Sequence, residues 1–501
     1  MITILRKTSY TRISRILTDA YLGLVFLGLP LVFHHLYFDI TETKQAFFLI
    51  ASFAYMLALL IARILFPRGC GVPAVKPRIP AAVWGTACFF LCMLTAGLLS
   101  AHPETSFFGG QNRYQGILTA FTYAAIVLVL STQKPDLRAA ESGLLLGGAL
   151  TGILGLLNHF GVDPLGFTAN LSSSDKGRFL STIGNLDFYG SFFCIAFPVA
   201  LNSFVRAGSK RAQALSAAAL AAVSFGVLVA GSDAATLGLI AAALFLPLTL
   251  FANPRGMHRF FLGWAAFSLY ALAFGLAGRR LPSATYLSSF TFTFVQPGFA
   301  GAFTLVCFAA ALPLRRMPTQ RLQRFQRPYI IMLLLAALAV ILGLILINTA
   351  FKDLPLGGAE RYLRWSDTWG TDRGKIWSWC ARLYASFSPV QKLIGGGPGV
   401  VYYMDAQNQL FTDAALDSAH NEYLHYLLSI GAAGLIAYLT VLTASLRSGI
   451  RKAADPVARG FTAALAAYAA QAVVSIAQPA STPLVFVIIG LLAAGKRNGN
   501  D

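Results

Sequence analysis

The sequence predicts an all-α, polytopic transmembrane helical bundle of about 12–14 helices with one large extracytoplasmic loop. Three observations predict it. Of 501 residues, 56% are hydrophobic and only 12% charged, with a mean hydropathy of +0.64, whereas a soluble chain carries roughly a quarter charged residues. The apolar residues fall in runs of about 17 to 22, the length needed to cross a hydrocarbon core about 30 Å thick. Most runs are apolar all round rather than striped, as a lipid-embedded helix is.

Apolar runs predict helices near 18–37, 45–66, 80–100, 116–131, 140–160, 186–205, 214–231 and 234–252, then near 260–278, 294–314, 329–349, 422–446, 461–477 and 484–495. The stretch 214–252 is nearly continuous and the last run is short, so the count of crossings stays open between twelve and fourteen. The first run follows Arg6, Lys7, Arg12 and Arg15 and lacks a small-residue cleavage site, and is read as a retained helix rather than a signal peptide.

The net charge of +19 does not point to nucleic acid, because Lys and Arg are dispersed in short clusters between apolar runs. Their placement obeys the positive-inside rule. With both termini cytoplasmic, the inner segments carry Arg63/Arg68/Lys76/Arg78, Lys134/Arg138, Arg206/Lys210/Arg211, Arg255/Arg259, Arg315 to Arg327, Arg447 to Arg459 and Lys496/Arg497. The six cysteines show no CxxC spacing, so neither a structural metal site nor a disulfide framework is indicated. The organisation expected is about eleven transmembrane helices over 1–349, an extracytoplasmic loop with interfacial helices over 350–421, and C-terminal helices with a cytoplasmic tail over 422–501. A loop that long usually carries function or helices of its own. Within it, Thr371–Ser386 reads as an amphipathic helix lying at the interface, with Ile376, Trp377, Trp379, Leu383 and Tyr384 toward lipid or core.

Three constellations could carry chemistry. His420, Asn421 and Glu422 stand where the long loop meets the next membrane helix. An imidazole can take a proton from a hydroxyl near neutral pH, and Glu422 or Asp417 could orient it; the alternative is a polar cap made by Asn421 or Ser418. Arg373 and Lys375 precede the turn Gly395-Gly-Gly-Pro-Gly399; the cations can bind phosphate and the glycines can bring backbone N–H groups to an anion. The alternative is a plain glycine turn. Lastly, the loops 107–116 and 176–187 put Arg113 and Arg178 on the same side as the long loop, where they could converge with Arg373 on an anionic head group or snorkel to lipid phosphates. Asp233 is either an intramembrane charge or, if the chain breaks at Ser232, a residue facing outer water.

In order and spacing, Arg178-Phe-Leu-Ser-Thr-Ile-Gly-Asn185, Arg373 with Ile376-Trp377, Gly395-Gly-Gly-Pro-Gly399, and His420-Asn-Glu-Tyr-Leu424 with Gly431 and Gly434 resemble the O-antigen ligase and polymerase family of bacterial membrane glycosyltransferases. The resemblance covers roughly residues 105–490. It implies metal-independent glycan transfer, without a cofactor, from an undecaprenyl-pyrophosphate donor to a hydroxyl of a glycan, lipid or protein acceptor, on the outer face of the bacterial cytoplasmic membrane. It also implies that His420 and Arg373 are catalytic and that Arg178, Arg113, Lys375, Asn421, Glu422 and Asn185 bind substrate. A further family arginine, in Ser-Arg-Gly, is matched here by Ser232-Asp233-Ala234, which reverses the charge. The competing expectations are a membrane transporter or flippase, and a member that binds lipid-linked glycan without catalysis.

Overall fold

In a bilayer every backbone N–H and C=O must find its partner within the protein, and helices do this segment by segment. The computed structural model describes residues 10–66, 79–110, 113–172, 175–408, 410 and 416–495, and it is 76% helical, so the all-α class holds. Arg6, Lys7, Arg68, Cys70, Lys76, Arg78, Gln111, Asn112, Lys496 and Arg497, all read above, lie outside the described residues.

Among the described residues, eleven helices are long and apolar enough to cross a membrane. They are Tyr10–Leu31, Ile40–Leu65, Ala81–Leu98, Leu137–His159, Leu186–Arg206, Lys210–Val229, Pro254–Gly278, Pro297–Leu314, Thr319–Asn348, Glu422–Arg451 and Pro456–Val474. Ile117–Thr132, Asp233–Thr249 and Thr482–Ala493 are shorter apolar helices. The chain is therefore a multi-pass membrane protein, and two of the three short helices, Asp233–Thr249 and Thr482–Ala493, fall where the count was left open. Among the described residues the one sheet is an antiparallel pair, Phe179–Leu180 with Gly184–Asn185.

Several boundaries differ from the sequence reading, and two of them show why. The chain is already helical at Tyr10, the first described residue, rather than from near 18, because polar residues there are buried and satisfied: Thr18 Oγ1 bonds Ser14 O at 2.7 Å and Tyr55 OH at 2.8 Å. The run near 461–477 ends its α-helix at Gln471 and continues as a 3-10 turn, Ala472–Val474. Buried non-helical backbone follows to Ser481. Gln478 serves that backbone: its amide N–H donates to Thr482 Oγ1 at 2.9 Å and its Oε1 accepts from Ala480 N–H at 2.6 Å. Irregular backbone at membrane depth is tolerated only inside protein in this way.

Leu186–Arg206 and Thr482–Ala493 are almost wholly buried and form the centre of the bundle. Gln326–Asn348 buries no residue against the protein, so lipid is the natural counterpart of its apolar surface. Small residues let helices approach closely: a side chain at Gly152 would collide with the carbonyl oxygen of Ala222 on the facing helix. Two buried charges inside the helices are partnered. Lys44 Nζ donates to the Leu29 and Val32 carbonyls at 2.8 and 2.9 Å, and Glu141 pairs with Arg206.

Between Asn348 and Glu422 the chain folds into short helices around a core of its own, with Ile376, Trp379, Cys380, Leu383, Phe387 and Val401 buried. It is fastened to the helix before it by Arg364, which donates to Ile347 O at 2.7 Å and also to Leu354 O, within the segment itself, at 2.6 Å.

Candidate functional site

Four helix beginnings meet at one end of the bundle, each set by its local sequence. Asn185 caps Leu186–Arg206 by accepting Asp187 N–H at 2.9 Å. Asn421 caps Glu422–Arg451 by accepting Leu424 N–H at 3.0 Å. Both are residue types favoured at that position because the short side chain reaches the unpaired N–H groups of the first turn. Gly231, at φ 63°, breaks the chain so that a new helix starts at Asp233. Gly370, Thr371 and Asp372 all have positive φ, so Arg373 opens the regular part of Trp369–Ser386.

The side chains at these beginnings form two arginine–aspartate pairs. Arg373 Nη2 lies 4.0 Å from Asp187 Oδ2, while Ser232 Oγ donates to Asp187 Oδ1 at 2.6 Å. The rest of the Arg373 guanidinium is held by backbone, with Nε donating to Val474 O at 3.2 Å and Nη1 to Gly370 O at 2.5 Å. Nη2 is therefore the donor left for a ligand. Arg113 Nη2 donates to Asp417 Oδ2 at 2.5 Å, and its guanidinium lies 5.2 Å from the centre of the Phe188 ring.

His420 lies among these four charges, half-buried, with its ring free of hydrogen bonds among the described residues. Burial holds its pKa below the ordinary value of 6.5; Arg373 and Arg113 push the same way, and Asp417 and Asp187 oppose them. The ring is consequently neutral at pH 7, the form that accepts a proton. Its backbone is strained, at φ 47°. Among the described residues six non-glycine positions have positive φ, and four of them, Tyr114, Thr371, Asp372 and His420, adjoin this cluster. Each such conformation costs about 1–3 kcal/mol and persists where the surroundings over-determine it, often at functional sites.

Of the residues expected to act, His420, Arg373 and Arg113 come together. Arg178 is exposed on the turn Lys176–Arg178, and its side chain has no partner among the described residues. Lys375 Nζ donates to Leu410 O at 2.8 Å, within its own segment. Asn185 and Asn421 serve as caps. Two expectations are corrected. Glu422 does not orient His420: it turns into the core, where the hydroxyls of Tyr438 and Tyr468 donate to it at 2.5 and 2.9 Å, and Asp417 is the acidic neighbour instead. The glycine turn does not offer its central N–H groups to an anion, because Gly396 and Gly397 donate to the Leu428 and Ser429 carbonyls, each at 2.9 Å. Those carbonyls are exposed by a break in Glu422–Arg451 at Gly431 (φ 69°, ψ −175°). Asp233 sits in the first turn of its helix and is exposed, so it is not a buried intramembrane charge.

Asp187 and Ser232 join the cluster without having been singled out as site residues. Both read as ordinary helix-start residues, and only the meeting of distant helices reveals them. A cavity of about 30 Å³ adjoins the cluster, lined by Arg113, Asp417, His425, Ser429 and Gly399 among others. Among the described residues no group of three or more His, Cys, Asp or Glu is placed to hold a metal ion. No family model matches the chain, and no curated protein matches it in sequence.

Proposed function

We propose that the chain is a glycosyltransferase of the O-antigen ligase or polymerase type, moving a glycan from a polyprenyl-pyrophosphate donor to an acceptor hydroxyl at the outer face of a bacterial cytoplasmic membrane. On this reading the segment between Asn348 and Glu422 is extracytoplasmic and both termini are cytoplasmic, as the basic clusters suggest. The observation that carries the proposal is a neutral, strained His420, its ring without a hydrogen bond among the described residues, flanked by Arg373 and Arg113 at the mouths of four helices.

The chemistry divides between these groups. The acceptor hydroxyl gives its proton to His420 as its oxygen attacks the anomeric carbon from the face opposite the pyrophosphate, so the configuration inverts. The bond from that carbon to the pyrophosphate oxygen breaks, and negative charge builds on the leaving group. Arg373, through Nη2, and the positive ends of the converging helices stabilise that charge. Asp187 and Asp417 hold the two guanidinium groups in place before substrate arrives. A lipid-linked donor also accounts for a polar site that borders an apolar bundle.

A transporter would place ionisable residues along a midplane path. Lys44 and Glu141, buried inside helices, are instead locked to carbonyls and to Arg206. The test is the surface glycan of the native host carrying His420→Ala or Arg373→Ala at normal expression. Loss of full-length glycan from its acceptor supports transfer, with chain-length collapse indicating a polymerase and unattached full-length chains a ligase. Undiminished transfer in His420→Ala removes His420 as base.

A further inference from the structure

Beside the cluster the segment carries three clustered tryptophans, of which Trp365 and Trp369 stack and Trp377 is tilted against both. The ring centres of Trp365 and Trp369 are 5.5 Å apart at 30°, those of Trp369 and Trp377 are 5.4 Å apart, and those of Trp365 and Trp377 are 5.9 Å apart. The wall is tied to the catalytic loop, because Trp377 Nε1 donates to Ala419 O, the residue before His420, at 3.0 Å. It is also tied to Arg373, which is bonded to the carbonyl of Gly370 next to Trp369.

Tryptophans that anchor a protein in a bilayer keep their rings in the apolar layer and turn their N–H groups out toward headgroups. Here two of the three do otherwise. Trp369 Nε1 donates to Tyr362 O at 2.9 Å and Trp377 Nε1 to Ala419 O, so protein carbonyls rather than headgroups take these N–H groups, while Trp365 remains 46% exposed. The residues between Trp365 and Trp369 are Ser366, Asp367 and Thr368, all exposed. An exposed aromatic surface edged by a carboxylate and two hydroxyls suits one chemical class. A pyranose ring presents a face of C–H groups to the negative π-surface of an indole and a rim of hydroxyls to polar neighbours.

We propose that the Trp365–Trp369–Trp377 wall is a sugar-binding subsite that seats a ring of the glycan beside His420, with Asp367 accepting hydrogen bonds from its hydroxyls. This rests on the glycan-transfer reading for its ligand, but it is a binding claim with a readout of its own. The probe is the oligosaccharide released by mild acid from the host's own lipid-linked pool, added to the full chain in nanodiscs while tryptophan emission is followed. The wild-type chain and His420→Ala both show a saturable emission change, and Trp365→Ala and Asp367→Asn weaken it by roughly tenfold. Trp365→Phe, which keeps a ring, retains most of it and guards against a folding defect. No saturable change in the wild type, or the same change in Trp365→Ala, overturns the proposal. So does quenching of Trp365 by brominated lipid in the disc with no response to oligosaccharide, which assigns the wall to the bilayer. If the transfer reading fails instead, His420→Ala leaves host glycan unchanged while the emission titration still reports binding.

Discussion

Replacing Gly431 with Ala tests how the site is braced. Inside a continuous helix this substitution stabilises, by about 1 kcal/mol, because Ala is the better helix former. Here the expected sign is opposite. Gly431 has φ 69° and ψ −175°, a region open essentially to glycine alone, and a methyl there would collide with the Leu393 carbonyl oxygen. The strain is worth about 1–3 kcal/mol. Relieving the collision pulls the two backbones apart, which removes the bonds from Gly396 to Leu428 and from Gly397 to Ser429, about 1 kcal/mol each. Allowing about 1 kcal/mol for the reduced freedom of the unfolded chain, the net loss is about 3 kcal/mol. Gly395 mirrors it, at φ 86° and ψ 177°, with its own absent side chain facing the Ser429 carbonyl. The double variant Gly395→Ala/Gly431→Ala therefore loses less than the sum of the two single losses, by about 1–2 kcal/mol, since the same two bonds can be lost only once. Equilibrium unfolding in mixed micelles measures all three variants. A Gly431→Ala chain as stable as the wild type, or more so, refutes the bracing of the glycine turn on the helix break at Gly431.

Three further outcomes follow from the same geometry. Acidification protonates the base, so transfer falls as pH drops through the pKa of His420, with a midpoint below 6.5. Arg373→Gln removes the second cause of that depression and moves the midpoint upward in a pH–rate profile, alongside its loss of rate. Glu422→Ala leaves the Tyr438 hydroxyl unpaired in the core and opens a void, costing about 3 kcal/mol in the same unfolding assay, while Glu422→Gln costs about 1 kcal/mol. The reverse order would mean that the carboxylate acts at the site rather than in the core. A double-mutant cycle between Arg113→Ala and Asp417→Ala gives a coupling of about 1 kcal/mol for this partly exposed pair, and a coupling near zero contradicts the ion pair.

Much of the architecture was legible in the sequence because the bilayer imposes a single length on apolar runs. Every run read as a helix corresponds to an apolar helix, including the division of 214–252 at Gly231 and Ser232. What escaped was polar chemistry inside the bundle. Thr18 is buried against Tyr55, and Gln478 supports an unwound stretch; both look in the sequence like ends of membrane segments. In the site, His420 and Arg373 were legible because imidazole and guanidinium at a helix mouth suggest proton and phosphate chemistry. Asp187 was not, since an acidic residue in a first turn is ordinary until another chain segment brings Arg373 to it. Glu422 misled for a related reason: two residues from His420 along the chain, it points to the other side of the helix start and into a pair of tyrosines.

The central claim is that His420 takes the proton of an acceptor hydroxyl while Arg373 steadies a departing pyrophosphate. Proteoliposomes holding the purified chain, a polyprenyl-pyrophosphate-linked oligosaccharide from the host and its acceptor fraction allow glycan transfer and release of polyprenyl pyrophosphate to be followed together. The account predicts equal amounts of both products with the wild type. It also predicts loss of both in His420→Ala by roughly two to four orders of magnitude, the usual worth of a general base. Transfer by His420→Ala at the wild-type rate would contradict it.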